Sequence, residues 1–122
     1  MPGGATMLLT CTDLPPSVIE RMFVTAQPWS WVLTCDGGRA DTPTLQLLGW
    51  IQEADGIDEL VVLHHTACNA LGPARNEDDT RAARLRLSGT LDAIRVQVPS
   101  PDPASLSGFL YHDARDQLVT CP

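Results

Sequence analysis

The sequence predicts an α/β fold: a mainly parallel β-sheet flanked by helices, with an antiparallel edge strand or hairpin at the C-terminal end. Apolar runs typical of strands alternate with helical segments, and this βαβα order is characteristic of parallel sheets. The run LVVLH at residues 60–64 is almost continuously apolar, as expected of a parallel strand buried on both faces. Residues 108–113 and 117–121 flank a short polar turn, which predicts the closing hairpin.

The remaining elements follow from local patterns. Three more strands are predicted over residues 7–11, 29–35 and 93–98, the last from its period-two alternation of apolar and polar side chains. Helices are predicted over residues 16–26, 42–54 and 76–88. The first two begin with proline near the first turn, where a helix tolerates it. The third is acidic at its start and rich in arginine later, which complements the helix dipole.

Composition restricts the classes of protein and partner. The 122 residues suffice for a single domain, residues 1–122, with one core. The net charge is −7 and no residue is lysine, so binding to nucleic acid or to an anionic membrane is not expected. No apolar run approaches the length of a membrane span, and the first ten residues lack the features of a signal peptide. We therefore expect a cytoplasmic protein whose four cysteines are reduced thiols or metal ligands.

Three candidate metal ligands follow two of the apolar strands. Cys11 ends the run MLLTC, and His65 and Cys68 follow LVVLH. Two thiols and an imidazole are the ligand types that zinc prefers, and three protein ligands leave a fourth position open for catalysis. The alternative is that they are two buried thiols and a core histidine. A disulfide between Cys11 and Cys35 is also conceivable, although a reducing compartment disfavours it.

Four short motifs occur in the same order as in a known family. They are CTD at residues 11–13, CDGGR at 35–39, HTAC at 65–68, and SP at 100–101 followed by GFLY at 108–111. The set resembles the β-class carbonic anhydrases, whose motifs are C-x-D-S-R, R-N-A-G-G-R, H-T-x-C-G and S-P followed by G-F-x-Y. Each piece alone is weak, but four in order are a specific signal.

The resemblance implies a zinc enzyme that reversibly hydrates carbon dioxide to bicarbonate through a zinc-bound hydroxide. It implies Cys11, His65 and Cys68 as the zinc ligands, with Asp13 beside the metal and backbone amides near residues 37–38 helping to position the substrate. It also implies that the first and third strands are neighbours at the centre of the sheet. Ligand sites of open α/β sheets form where the strand order reverses in this way.

One departure from the family pattern concerns the aspartate. Pro15 stands where the family has an arginine that pairs with this aspartate and holds it off the metal. Asp13 is then available as a fourth zinc ligand, which would close the site as in structural zinc centres. Arg39 is a possible substitute partner for Asp13. The fourth ligand therefore stays open between water, Asp13 and Cys35.

Three functions are compatible with the motifs and with this departure. Carbon dioxide hydration is the first, hydrolysis of carbonyl sulfide or carbon disulfide is the second, and a non-catalytic zinc protein or accessory subunit is the third. Only residues 1–6 precede the first predicted strand, whereas the family has N-terminal helices that embrace a partner subunit. A homodimer or higher oligomer is therefore expected to use other surfaces.

Overall fold

The fold is described by a computed structural model that covers residues 5–22, 29–35, 41–66, 77–97 and 106–121. In chain order its elements are β1 (Ala5–Cys11), α1 (Pro16–Met22), β2 (Trp31–Cys35), α2 (Thr42–Ala54), β3 (Ile57–His65), α3 (Glu77–Gln97), β4 (Leu106–His112) and β5 (Gln117–Cys121). Among the described helices, none is long and apolar enough to cross a membrane.

The five strands form one sheet in the order β2-β1-β3-β4-β5. The first four run parallel, and β5 pairs with β4 in the antiparallel sense. Both the mainly parallel sheet and its antiparallel edge confirm the predicted fold class. The chain moves outward in one direction from β1 to β2 and in the other from β3 to β4, so the strand order reverses between β1 and β3. A ligand site is expected at the carboxyl ends of these two strands.

The two central strands are buried because helices cover both faces of the sheet. The larger core lies between the sheet, α2 and α3; the smaller core lies on the side of α1 and contains Leu8, Cys11, Leu14, Val18, Val61, Leu63 and Tyr111. Leu9 and Leu63 are fully buried, and removing such a side chain from water contributes about 1.5–3 kcal/mol. This burial on both faces explains the nearly continuous apolar character of β1 and β3.

The boundaries of α2 agree with the prediction because both of its ends carry local signals. The Asp41 carboxylate accepts a hydrogen bond of 2.9 Å from the Thr44 backbone N–H, and Pro43 lies in the first turn. After the helix, Gly56 adopts a positive φ of 75°, and its N–H donates to the Ile51 and Gln52 carbonyls.

The strand predicted over residues 93–98 is wrong, because these residues up to Gln97 form the last turns of α3. The helix predicted over 76–88 therefore continues to Gln97. Its buried apolar residues recur every three or four positions: Ala83, Leu87, Leu91 and Ile94. Ile94 is 2% exposed and Val96 is 83% exposed, so these two side chains do not share a buried face as the alternation predicted. The fourth strand is instead β4, where Gly108 allows the Leu91 side chain to approach closely.

The other predicted boundaries differ by a few residues. The strands predicted over 7–11, 29–35 and 60–64 correspond to β1, β2 and β3. The helix predicted over 16–26 is α1 up to Met22, and the rest of that prediction lies outside the described residues. The predicted hairpin is present: residues 113–116 connect β4 to β5, and Asp116 takes a positive φ of 51°, which aspartate tolerates better than most residues.

Candidate metal centre

Two of the three candidate ligands lie at the ends of the central strands. Cys11 is the last residue of β1, His65 is the last residue of β3, and these strands are hydrogen-bonded neighbours. Thr10 pairs with Leu63 in the register, and its buried hydroxyl donates a 2.9 Å hydrogen bond to the Leu63 carbonyl. This bond joins the two strands directly before the candidate ligands.

Asp13 reaches the same place through a tight turn after β1. The Leu14 N–H donates to the Cys11 carbonyl at 3.2 Å, and the Thr12 N–H donates to the Cys35 carbonyl at 3.2 Å. Leu14 is buried in the smaller core, which anchors the far side of the turn. The turn thus leaves Asp13 beside the carboxyl ends of β1 and β3.

Cys11, Asp13 and His65 form a compact group of donor atoms. One ligand atom from each lies within 4.8 Å of the others, and His65 Nε2 is 3.9 Å from Asp13 Oδ2. The His65 side chain is 2% exposed, and its Nε2 is buried without a hydrogen-bond partner among the described residues. A buried ring nitrogen normally has a partner. A sulfur, a nitrogen and a carboxylate oxygen so close together fit a zinc ion, which would satisfy Nε2.

The other candidate residues have different outcomes. Cys68, Arg39 and the Gly37–Gly38 pair lie outside the described residues, so their assignments stay predictions. Cys35 pairs with Cys11 in the register, but it packs against the larger core and does not belong to the donor group. No disulfide joins Cys11 and Cys35.

Asp113 is a site residue that the motifs did not indicate. Its Oδ1 and Oδ2 atoms lie 3.4 Å and 3.5 Å from His65 Nδ1. Thr66 holds this carboxylate, since its hydroxyl donates to Asp113 Oδ1 at 3.2 Å and accepts from the Asp113 N–H at 3.0 Å. The pairing of His65 with Tyr111 in the β3–β4 register brings residue 113 to this position, and no local sequence signal reports that register.

A second polar cluster joins α1 to the β4–β5 turn. Arg21 Nη1 donates to both Asp116 carboxylate oxygens at 2.5 Å, and the Tyr111 hydroxyl donates to Asp116 Oδ1 at 2.5 Å. The hydrogen bond from Arg21, and then that from Tyr111, lowers the pKa of Asp116. Donation to Asp116 raises the pKa of Tyr111. Because Tyr111 belongs to the smaller core, the cluster connects that core to α1 and to the β4–β5 turn.

Comparison with known proteins gives matches in structure alone, since no family model and no curated protein sequence matches the chain. A carbonic anhydrase from Streptococcus mutans is 18% identical, with 100% of this chain and 86% of that chain covered at a TM-score of 0.66. An apo carbon disulfide hydrolase is 15% identical, with 99% and 80% covered at 0.70. The β-carbonic anhydrase isoform I from Trichomonas vaginalis is 15% identical, with 99% and 85% covered at 0.67. At these identities the likeness concerns architecture, and the chain has the β-carbonic anhydrase fold.

Proposed function

We propose that the protein is a zinc-dependent enzyme that reversibly hydrates carbon dioxide to bicarbonate. The observation that carries the proposal is the group formed by Cys11, Asp13 and the buried, unpartnered Nε2 of His65 at the strand-order reversal. This arrangement occurs on a fold shared with carbonic anhydrases of low identity. The proposal places the protein in the cytoplasm, where a reducing environment keeps the Cys11 thiol available as a ligand.

In this proposal Cys11, His65 and Cys68 hold the zinc ion. When bound, zinc supplies a Lewis acid that lowers the pKa of a water molecule towards about 7. Hydration forms a C–O bond between the water oxygen and the carbon of carbon dioxide, and one proton leaves. Asp13 Oδ2 is the proposed proton-accepting atom, because the Asp13 side chain is 21% exposed and can pass a proton to solvent. Arg39 is proposed to hold this carboxylate in place.

The test is a stopped-flow hydration assay on zinc-loaded protein across neutral and alkaline pH. We expect a rate above the buffer background that disappears in His65→Ala, because the variant removes a ligand. The fold of the variant is checked by circular dichroism. A wild-type protein that binds zinc but shows no rate above background would overturn the proposal. Because one structural neighbour is a carbon disulfide hydrolase, sulfide release from carbon disulfide is measured in parallel as the alternative reaction.

A second candidate function is a closed, non-catalytic zinc site in which Asp13 is the fourth ligand. Two ligands of one tetrahedral zinc ion lie about 3.4 Å apart. The 3.9 Å between His65 Nε2 and Asp13 Oδ2 is close to that spacing and too long for a direct hydrogen bond. Pro15, in the place of an arginine, favours this candidate as well.

The variant Pro15→Arg distinguishes the two candidates, with Pro15→Gln as the uncharged control. Pro15 is exposed directly before α1, so either side chain can be accommodated. If Asp13 limits turnover by binding the metal, the arginine should raise the hydration rate about tenfold, the effect of one charge-assisted hydrogen bond. Equal rates in both variants would show that the missing arginine does not limit the site. X-ray absorption at the zinc edge identifies the fourth ligand directly.

We also propose a homodimer that pairs β2 of one copy with β2 of a second copy. Strand β2 is at the edge of the sheet, and its Trp31 and Val32 side chains are 42% and 49% exposed. An exposed apolar edge strand is a ready template for pairing with another chain. Sedimentation should give a dimer for the wild type and a monomer for Val32→Lys, with Val96→Lys at an exposed position of α3 as a charge-matched control. A monomeric wild type would contradict the assignment.

A further inference from the structure

The ring of His65 lies between two carboxylates that face its two nitrogens. Asp13 Oδ2 is 3.9 Å from Nε2, whereas both Asp113 oxygens lie within 3.5 Å of Nδ1. The Nδ1 contact is long for an N–H···O hydrogen bond, so much of its effect on the ring is electrostatic. Because an ionised carboxylate only accepts hydrogen bonds, Asp113 favours the tautomer with the proton on Nδ1.

The position of the Asp113 carboxylate is fixed by its neighbours. Thr66 and Asp113 exchange two hydrogen bonds, and the Thr66 N–H donates to the Tyr111 carbonyl at 3.1 Å. Thr66 is buried directly after His65, so the turn that ends β3 and the turn that ends β4 hold each other. The carboxylate that faces Nδ1 is therefore attached to two strands of the sheet.

We propose that Asp113 is a positioning residue that keeps His65 protonated at Nδ1 and leaves the Nε2 lone pair available to the metal. The assignment rests on the metal-binding part of the proposed function and not on the reaction. The buried Nε2 without a partner is the second observation that supports it, since a proton there would have no acceptor among the described residues. Carboxylate partners of this kind orient metal-ligating histidines and raise their basicity.

The substitution Asp113→Asn tests the assignment sharply. In the variant, Thr66 would donate to the amide oxygen, so the amide NH₂ would take the place of Oδ2 and donate to His65 Nδ1. The proton of the ring would then move to Nε2. A protonated Nε2 has no lone pair to offer to the metal. Asp116→Asn is the matched control, because it makes the same change in the same turn at a carboxylate that pairs with Arg21.

The first measurement is the tautomer of His65 in the metal-free protein, from long-range ¹H–¹⁵N correlation spectra at about pH 8, where an ordinary imidazole is neutral. We expect the Nδ1–H form in the wild type and in Asp116→Asn, and the Nε2–H form in Asp113→Asn. An Nε2–H wild type would overturn the proposal. A purely structural role for Asp113 would not change this signature.

The second measurement is the zinc dissociation constant, from competition with a chromophoric chelator. We expect Asp113→Asn to raise it about 10- to 100-fold and Asp116→Asn to leave it within about twofold. Unchanged affinity in a folded Asp113→Asn would contradict the assignment. A wild type in the Nδ1–H form that binds no zinc would contradict the proposed function while supporting the role of Asp113 in the tautomer.

A second pair of variants applies if Asp113→Asn does not fold. Thr66→Val removes the hydroxyl that holds Asp113, whereas Thr66→Ser keeps it. We expect the valine variant to bind zinc about threefold to tenfold more weakly than the wild type and the serine variant to retain its affinity. Equal affinities in the two variants would argue that Thr66 does not position Asp113 for the site.

Discussion

The buried hydroxyl of Thr10 connects the two strand ends that carry candidate ligands. It donates to the Leu63 carbonyl, one residue before Cys11 on β1 and two residues before His65 on β3. An intramolecular hydrogen bond of this kind contributes about 1 kcal/mol to stability, because folding exchanges it for bonds to water. Its importance for the site is geometric, since it limits sliding between the strands.

We expect Thr10→Val to lower the free energy of unfolding by about 1 kcal/mol, since the variant keeps the shape of the side chain but loses the donor. Thr34→Val is the control, because Thr34 is the exposed partner of Thr10 on β2, and its effect should stay within about 0.5 kcal/mol. Urea denaturation measures both. Equal effects would mean that the Thr10 hydroxyl does not stabilise the strand pair.

At the scale of the elements, α3 shows where a short pattern misleads. Residues 93–98 alternate like a strand, but six residues cannot distinguish period two from part of a helical face. The helical repeat becomes clear only when Ala83, Leu87 and Leu91 are counted with Ile94 as one stripe. The packing of that stripe on β4, at Gly108, decides in favour of the helix.

Truncation of Ile94 and of Val96, which the alternation predicts on one face of a strand, should change the stability of the fold by different amounts. Ile94→Ala leaves a cavity in the larger core and should cost about 2–4 kcal/mol. Val96→Ala removes an exposed side chain from a helix and should change stability by no more than about 0.5 kcal/mol. Chemical denaturation of the two variants checks the difference, and similar losses would contradict the helical assignment.

At the scale of the whole molecule, the Arg21–Asp116–Tyr111 cluster links stability to pH. Because the pKa of Asp116 is lower in the folded chain than its ordinary 3.8, the ionised form stabilises the fold. This contribution is complete well above pH 3.8 and is lost as the pH falls through the lower, folded-state pKa. The raised pKa of Tyr111 has its effect at alkaline pH. The protonated tyrosine stabilises the fold, and this stabilisation is lost as the pH rises above 10.0 through the folded-state pKa.

Asp116→Asn should therefore be less stable than the wild type near neutral pH, and the difference should shrink as the pH falls below about 4. The reason is that the protonated wild-type side chain no longer pairs as a charge with Arg21. Thermal unfolding of both proteins from about pH 7 to pH 3 measures this difference. Parallel stability curves would show that the pairing does not depend on the charge of Asp116.

Much of the fold and part of the site could be predicted because the signals are local. A cap and a glycine delimit α2, apolar runs mark β1 and β3, and a polar turn marks the hairpin. The prediction that Cys11 and His65 lie together also follows from local facts, since each ends a parallel strand, whereas the place of Asp13 beside them was implied by the family resemblance. Strand ends meet at one edge of such a sheet.

The sequence by itself determined which segments form the central strands and which donor atoms stand at their ends. The tertiary structure alone decided the length of α3 and the arrival of Asp113 at His65. Both depend on contacts between residues that are far apart in the chain: the burial of an α3 face against β4, and the register of β4 beside β3. Such pairings are chosen by the burial of apolar surface in the complete fold, and no signal within a few residues encodes them.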